Sequence, residues 1–270
     1  MKIFKKITDL KVLTNKTSNL GFIPTMGGIH NGHISLINSS KKRCDTTLVS
    51  IYINPKQFNN AKDFSKYPKN IKKDLTILKK LKVNFVYLPK TNEIYKEKRR
   101  YKIVLNKNQK ILCAKFRKGH FEGVIDIMDR FIKLIKPKYI FMGKKDFQQL
   151  FLIKKYIKNK YKAKIYSCKT IRDKNLIALS TRNTQLSKNN IKIASFIAKK
   201  LKKLKKKITK NNKSNYHIML AKKYLKKKYK IKIDYLEARN EHNLKVFTGN
   251  SKFLLFVAYY INKVRLIDNF

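Results

Sequence analysis

Pro24-Thr25-Met26-Gly27-Gly28-Ile29-His30-Asn31-Gly32-His33 separates two stretches of different character. Before it, Leu20-Gly21-Phe22-Ile23 is apolar and short enough for a buried strand. After it, the run from Ile34 to Arg43 holds neither Gly nor Pro and reads as a helix. Two glycines at the join let the backbone turn sharply and come close to a ligand. His30 and His33 stand three apart, so a helix that starts near His30 sets both on one face of its first turn. That turn is also expected to offer unpaired N–H groups and the positive end of the helix dipole. Backbone donors and two imidazoles aimed at one spot suit phosphate, and a reaction in which charge builds on phosphate oxygens. The same His-x-x-His spacing fits an ordinary loop, or zinc. Two of the chain's five histidines fall here, no Cys is near, and the next carboxylate along the chain is Asp45, so a metal site needs distant ligands.

The rest of the composition bounds the class. A chain of 270 residues allows one large domain or two smaller ones, and 43% hydrophobic content argues against disorder. No apolar run approaches the roughly 18–20 residues that cross a membrane. Met1-Lys2-Ile3-Phe4-Lys5-Lys6 lacks the apolar core of a signal peptide. Cys44, Cys113 and Cys168 are spaced neither as a disulfide framework nor as a zinc motif, so a reducing cytoplasm is the expected setting. A net charge of +52 suggests nucleic acid at first sight. Yet 58 of the 67 basic residues are Lys, spread over nearly every segment, and Asn, Ile, Phe and Tyr are abundant. Those are residues of A/T-rich codons, whereas nucleic-acid surfaces cluster charge and favour Arg for bidentate contacts. Compositional drift is the preferred reading, with no specific nucleic-acid partner; the field still attracts anionic metabolites.

Taken in order, Thr46 to Ile53 is β-branched and nearly all apolar, as in a strand covered on both faces, and ends at Asn54-Pro55-Lys56-Gln57-Phe58. The carboxyl ends of parallel strands line the ligand crevice of open α/β sheets, which makes Gln57 and Asn54 candidates for substrate contact or, equally, turn caps. A helix is expected over Asn70 to Lys82 with Ile71, Leu75, Leu78 and Leu81 on one face, then strands over Val83–Leu88 and Tyr101–Leu105. Phe116 to Gly123 is an unusual loop carrying Arg117 and His120, followed by a helix from Val124 to Lys136. Tyr139–Met142 is a strand that runs into Gly143-Lys144-Lys145-Asp146-Phe147-Gln148-Gln149, a second strand–turn–helix join, with a helix to about Tyr161 and a strand over Lys164–Lys169. This repeating pattern predicts a doubly wound α/β sheet. Ala178-Leu179-Ser180-Thr181-Arg182-Asn183 is small, hydroxylated and basic, suited to an anionic group. Beyond it come a helix over Ser187–Ile208 whose Lys202–Lys207 is a solvated face, a polar loop at Asn211–Asn215, a basic helix to Lys228, a strand over Ile231–Glu237 and two strands within Lys252–Asp268. Helices followed by adjacent strands predict a small α+β domain over 171–270, after a first domain over 1–170.

Together these stretches resemble the pantothenate synthetase (pantoate–β-alanine ligase) family nearly end to end. The likeness is densest at Pro24–His33, Val49–Phe58, Arg117–Val124, Phe141–Gln149, Ile171–Asn183 and Arg265–Asn269. It implies a Rossmann-like nucleotidyltransferase (HIGH-type) domain with a parallel sheet, related to class I aminoacyl-tRNA synthetases, a smaller α+β C-terminal domain that closes over the site, and a homodimer. It further implies an ATP-dependent ligase that condenses pantoate and β-alanine through a pantoyl adenylate, with Mg2+ entering as MgATP and with AMP and pyrophosphate released. By resemblance His30, His33 and Lys145 are catalytic, with His33 the proton donor. The positions matching ATP contacts are Met26, Gly27, Gly28, Ile29, His30, Asn31, Gly32, His33, Gly143, Lys144, Lys145, Asp146, Ile171, Leu179, Ser180, Thr181 and Arg182. Asp146 would hold the ribose, and Lys145, Ser180 and Arg182 would neutralise phosphate. Gln57 and Gln149, with Asn54, match the pantoate and β-alanine site. Asn31 stands where an acidic residue is common, Lys144 where Glu is usual and Thr181 where Ser is usual, and the approach to Arg117 is atypical. Two rivals are another nucleotidyl-transferring member of the superfamily, which Gln57 and Gln149 argue against, and a basic RNA-associated protein that has lost the chemistry, which the intact His and Ser-x-Arg positions argue against.

Overall fold

Short strands with continuous apolar character suit a parallel sheet covered on both faces, and one forms here. The computed structural model describes residues 1–14, 17–59, 61–97, 101–210, 214–249 and 251–270. It divides into two units, Met1–Thr170 and Ile171–Phe270. The first runs β1 (Lys2–Phe4), α1 (Ile7–Thr14), β2 (Leu20–Thr25), α2 (Asn31–Lys41), β3 (Thr46–Ile51), α3 (Ala61–Ser65), α4 (Ile71–Lys80), β4 (Phe85–Tyr87), α5 (Thr91–Ile94), α6 (Cys113–Phe116), α7 (His120–Ile135), β5 (Tyr139–Gly143), α8 (Phe147–Ile157) and β6 (Lys164–Cys168). Its six strands lie in the order β1-β4-β3-β2-β5-β6, all parallel. From β2 the chain builds outward through β3 and β4, then returns to β2's other side with β5. The crevice between the β3 and β5 ends, with β2 between them, is therefore where a sheet of this kind binds ligands.

Alternation along each strand divides the core in two. Phe22, Leu48 and Ile140 face α1, α7 and α8 through Leu10, Phe131 and Ile153. Ile23, Val49 and Phe141 face α2 and α4 through Ile37 and Leu78. The second unit holds α9 (Lys188–Lys210), α10 (Ser214–Tyr229), β7 (Lys232–Asn240), β8 (Phe253–Ile261) and β9 (Val264–Asn269). Its antiparallel sheet β7-β8-β9 shares a core with both helices through Ile197, Leu201, Leu225, Leu255 and Val257. Arg172 clamps Asp268 with two bonds of 2.7 and 2.8 Å and also donates to the Asn269 carbonyl. That pairing ties together two of the stretches in which the family resemblance is densest.

The structure departs from the sequence expectations at several places. Tyr101–Leu105 forms no strand: Leu105 is buried but Val104 is 63% exposed, so the segment has no second face to cover. β1 and α1 are absent from the sequence reading, because a three-residue edge strand with one buried side chain, Phe4, leaves little pattern. α7 begins at His120 rather than Val124, after a left-handed Gly119. Ile71 opens α4 exposed rather than on its buried face. Within Lys202–Lys207, Leu204 is buried and Lys205 half-buried while the other lysines are exposed. Part of the polar loop expected at Asn211–Asn215, residues 211–213, lies outside the described residues, and Ser214 already belongs to α10.

Gly21 shows how closely α2 sits on β2. A Cβ there would meet Ser40 Oγ at 2.2 Å, Cys44 Sγ at 2.9 Å and a Phe141 ring carbon at 3.1 Å. Gly21→Ala is therefore expected to lower the unfolding free energy by about 1–3 kcal/mol, the usual cost of overpacking. A chemical-denaturation midpoint equal to that of the natural chain would contradict this.

Candidate active site

The turn after β2 is built from backbone conformation and one distant carboxylate. Thr25 Oγ1 donates to the Ser50 carbonyl at 2.7 Å and accepts from Gly27 N at 3.2 Å. Gly27 and Gly28 then adopt φ of 79° and 63°, the left-handed region that only glycine enters freely. Asp74, in the first turn of α4, accepts from Gly28 N and Ile29 N, each at 2.8 Å. His30 is the N-cap of α2 and its Nδ1 accepts from Gly32 N at 3.0 Å. His33 Nδ1 closes the capping box by accepting from His30 N at 3.4 Å. The expectation of unpaired N–H groups at this helix start is thus narrowed. Those of Gly27, Gly28, Ile29, His30 and Gly32 are all engaged by side chains of the protein.

What the turn offers instead is imidazole. The rings of His30 and His33 lie 4.1 Å apart between centroids and 30° from parallel. Because each Nδ1 accepts, a neutral ring carries its proton on Nε2, an assignment made from the hydrogen-bond pattern. Burial, and next to it Lys145, lower the His30 pKa to about 4. Burial, and next to it His30, lower that of His33 to about 3. Asp146 pulls both the other way. These influences also place Lys145 and Asp146, on the 3₁₀ turn after β5, beside the histidines. Lys145 Nζ lies 3.4 Å from Asp146 Oδ1, with Lys145 largely buried and Asp146 exposed. Two neutral imidazoles, one ammonium and one carboxylate thus gather at the ends of β2 and β5.

The second group of polar residues follows β3. Pro55–Gln57 is a 3₁₀ turn capped by Asn54, whose Oδ1 accepts from Lys56 N at 3.2 Å. Asn54 is 1% exposed. Its Oδ1 also accepts from Tyr95 Oη at 2.8 Å, and its amide donates to the Gly123 carbonyl at 3.1 Å and to Gln57 Oε1 at 3.5 Å. With both ends of its amide engaged, Asn54 supports Gln57, in keeping with the turn-cap alternative. Gln57 is buried and its amide donates to Met26 Sδ, in the glycine turn itself. The Gln57 carbonyl accepts from His120 Nδ1 at 2.6 Å and from Arg117 at 3.4 Å, while Arg117 Nη1 lies 2.8 Å from His120 Nε2. Since a carbonyl and a guanidinium fix the roles, His120 carries its proton on Nδ1, the opposite tautomer to His30 and His33. A Cβ at Gly123 would come within 2.3 Å of the Lys56 carbonyl, so α7 fits the Gln57 turn closely.

Gln149 lies half-buried in the first turn of α8 and makes no hydrogen bond to a described residue. Its neighbour Gln148 is spent on structure, donating to the Ile111 and Gln109 carbonyls at 2.7 and 3.3 Å. Both the Gln57 turn and α8 pack against α7, so the two glutamines belong to the same side of the sheet. In the second unit Leu179 N donates to the Ile171 carbonyl at 3.0 Å, bringing those two positions together. Ser180 caps the turn Thr181–Gln185 by accepting from Arg182 N at 3.3 Å; Thr181 is buried and Arg182 half-buried. Asp74 and Tyr95 are the site's supports that the sequence reading missed. An Asp in a helix's first turn is a faint signal for the first, and nothing marked the second.

The depressed imidazole pKa values carry a consequence for stability. Between pH 6.5 and about 4 the unfolded chain binds protons at these positions that the folded chain refuses. Stability present above pH 6.5 is therefore lost as pH falls through that window, by up to about 1.4 kcal/mol per pH unit for each proton. His33→Asn keeps an acceptor near Nδ1 and removes the titration. Its stability-against-pH curve is expected to be shallower there, and an unchanged slope would show that His33 is not held neutral.

A family model described as pantoate-beta-alanine ligase matches residues 2–270. A pantothenate synthetase of Ruthia magnifica subsp. Calyptogena magnifica is 38% identical over 275 residues, covering all of this chain and 98% of the relative. The crystal structure of a pantoate-beta-alanine ligase from Francisella tularensis, complexed with beta-gamma ATP and beta-alanine, superposes with a TM-score of 0.86 at 33% identity, over 100% of this chain and 97% of that one. A pantothenate synthetase from Thermus thermophilus reaches a TM-score of 0.93 over 100% and 99% of the two chains, at 24% identity, and so speaks for the fold alone. The chain belongs to the pantoate–β-alanine ligase family.

Proposed function

We propose that this ligase works through an acyl adenylate with MgATP as substrate. A carboxylate oxygen of pantoate attacks the α-phosphorus, the bond to the bridging oxygen breaks and pyrophosphate leaves. The neutral amine of β-alanine then attacks the acyl carbon; the C–N bond forms, AMP leaves with the acyl C–O bond broken, and the nitrogen sheds a proton. His30 and His33 donate from Nε2 to phosphoryl oxygens and Lys145 supplies positive charge, stabilising what develops in the transition state. For His33 to act as proton donor it must first gain a proton, which the negative charge of bound triphosphate favours. Asp146, exposed beside the pair, binds ribose hydroxyls. Gln57 and Gln149 hold pantoate, because an amide donates to a carboxylate and accepts from a hydroxyl. Met26, Gly27, Gly28, Ile29, Asn31, Gly32, Gly143 and Lys144 shape the nucleotide's seat. Ile171, Leu179, Ser180, Thr181 and Arg182 enter the nucleotide-contacting set on sequence resemblance. Mg2+ comes with the nucleotide and takes most of its ligands from phosphate and water. A homodimer and a cytoplasmic setting complete the reading.

The observation that carries it is the contact between Gln57 and Met26, four residues before His30. It supports a reading in which the Gln57 amide and the imidazoles serve neighbouring parts of one substrate complex. The test is pyrophosphate release from ATP with and without each co-substrate. A burst that needs pantoate but not β-alanine is expected; release indifferent to pantoate would overturn the adenylate route. His33→Ala should lower kcat/KM by about 10²–10³-fold while leaving the fold intact, and near-normal rates would make His33 structural. Gln57→Ala and Gln149→Ala should each raise the KM for pantoate about ten- to a hundredfold with little change for ATP. Equal effects on both substrates would remove the glutamines from the pantoate site.

A further inference from the structure

We propose that Asp74 is a positioning residue of this reaction, a built-in anion that fills the backbone nest of the glycine turn and so holds His30 and His33 in place for the phosphates. Successive N–H groups after left-handed residues point to one side and form an anion-binding concavity. Here Gly27 and Gly28 are left-handed, and the donors of Gly28 and Ile29 converge on the two oxygens of Asp74, Oδ2 and Oδ1, each at 2.8 Å. The carboxylate comes from 45 and 46 residues down the chain and is 3% exposed. It sits in the first turn of α4, whose dipole favours a negative charge there. The fit is close: a Cβ on Gly27 would lie 2.8 Å from Asp74 Oδ2 and 3.2 Å from Ile51 Cγ2.

Two consequences follow from the chemistry. With Asp74 in the nest, the triphosphate cannot take these two backbone donors and must use other groups, the imidazoles and Lys145 among them. Without it, the nest is a competing anion site beside the productive one. Ile29 is also the residue directly before the N-cap His30, so any slackening of its N–H passes straight to the imidazole pair. The inference deepens the adenylate reading and rests on it for its kinetic part; the hold on the turn does not.

The experiment uses Asp74→Ala in the full chain, measured for ligation, thermal melting and amide exchange at Gly28 and Ile29, with formate or with chloride at equal ionic strength. A displaced imidazole pair is expected to cost about a hundredfold in kcat, with the KM for pantoate changed by about twofold or less. Formate, a carboxylate that fits the vacated space, should restore a large part of kcat and slow exchange at both amides, and chloride should do neither. A loss that tracks the melting temperature and ignores formate would overturn the proposal, as would an undiminished kcat. Where Asp74→Ala does not fold, Asp74→Asn keeps one acceptor. It should leave one of the two amides protected and lower kcat, and full activity with both amides exposed would again overturn the proposal. Failure of the natural chain to make pantothenate would count against the ligase reading alone, since amide exchange in that same protein still tests whether Asp74 holds the turn.

Discussion

Everything at the site depends on two consecutive peptide units in the left-handed region, at Gly27 and Gly28. A strand that ends at Thr25 must reverse into a helix that starts at Asn31 within five residues, and L side chains oppose that path. Glycine removes the steric objection but contributes no contact of its own, so the turn needs partners from elsewhere. It has them from three sides: Thr25 and Ser50 beneath it, Asp74 across it, and the reciprocal caps of His30 and His33 ahead of it. The histidines thus do two jobs with different atoms. Nδ1 belongs to the fold, and on the mechanism proposed above Nε2 serves the ligand. Using one nitrogen for capping fixes the tautomer, and the tautomer presents the donor.

The charge of the chain makes this neutrality important. With a net +52, an anion is attracted to almost any part of the surface, and attraction alone cannot orient a triphosphate. Orientation needs directional donors that are held still and hidden from bulk salt. Burial supplies that by keeping His30 and His33 uncharged at neutral pH, with Lys145 as the charged group beside them. On the mechanism proposed above, the general field brings anions close, while the imidazole pair and Lys145 choose the geometry. The lysines of drift and the groups of the site therefore do not compete. Those lysines sit largely on exposed helix faces, as on α9 and α10, where a mobile ammonium costs little.

The parts that sequence makes legible are those governed by local pattern. Leu20–Thr25, Thr46–Ile51 and Tyr139–Gly143 are central strands, and two-sided burial demands near-continuous apolar runs. The glycine turn and its His pair are visible for the same reason, because backbone reversal and capping act within ten residues. Edges are not legible. β1 buries one side chain, whereas Tyr101–Leu105 has the composition of a strand and no neighbour to pair with. Long-range polar contacts are the least legible. Asp74 looks like an ordinary helix-dipole carboxylate until β3 and β4 line up beside β2 and carry it under the turn. Asn54 shows the converse. A polar residue at a strand end resembles a ligand contact, and only the positions of Tyr95 and Gly123 show that its amide is already in use.

The amide end of the site obeys the same logic as the imidazole end, with the tautomer reversed. Gln57 keeps a buried amide oriented while its backbone carbonyl is bonded by His120 and, at a longer distance, by Arg117. Its backbone carbonyl is held by His120 Nδ1, and His120 is held by Arg117 through Nε2. The positive guanidinium therefore reaches the turn largely through a neutral ring. An ammonium at the His120 position could bond the carbonyl, but it would bring a full charge within reach of the Gln57 side chain and accept nothing from Arg117. Imidazole relays the constraint as the shorter of the two bonds to the carbonyl. In both halves of the site, then, histidine serves as a neutral part tied to the scaffold, through Nδ1 at His30 and His33 and through both nitrogens at His120.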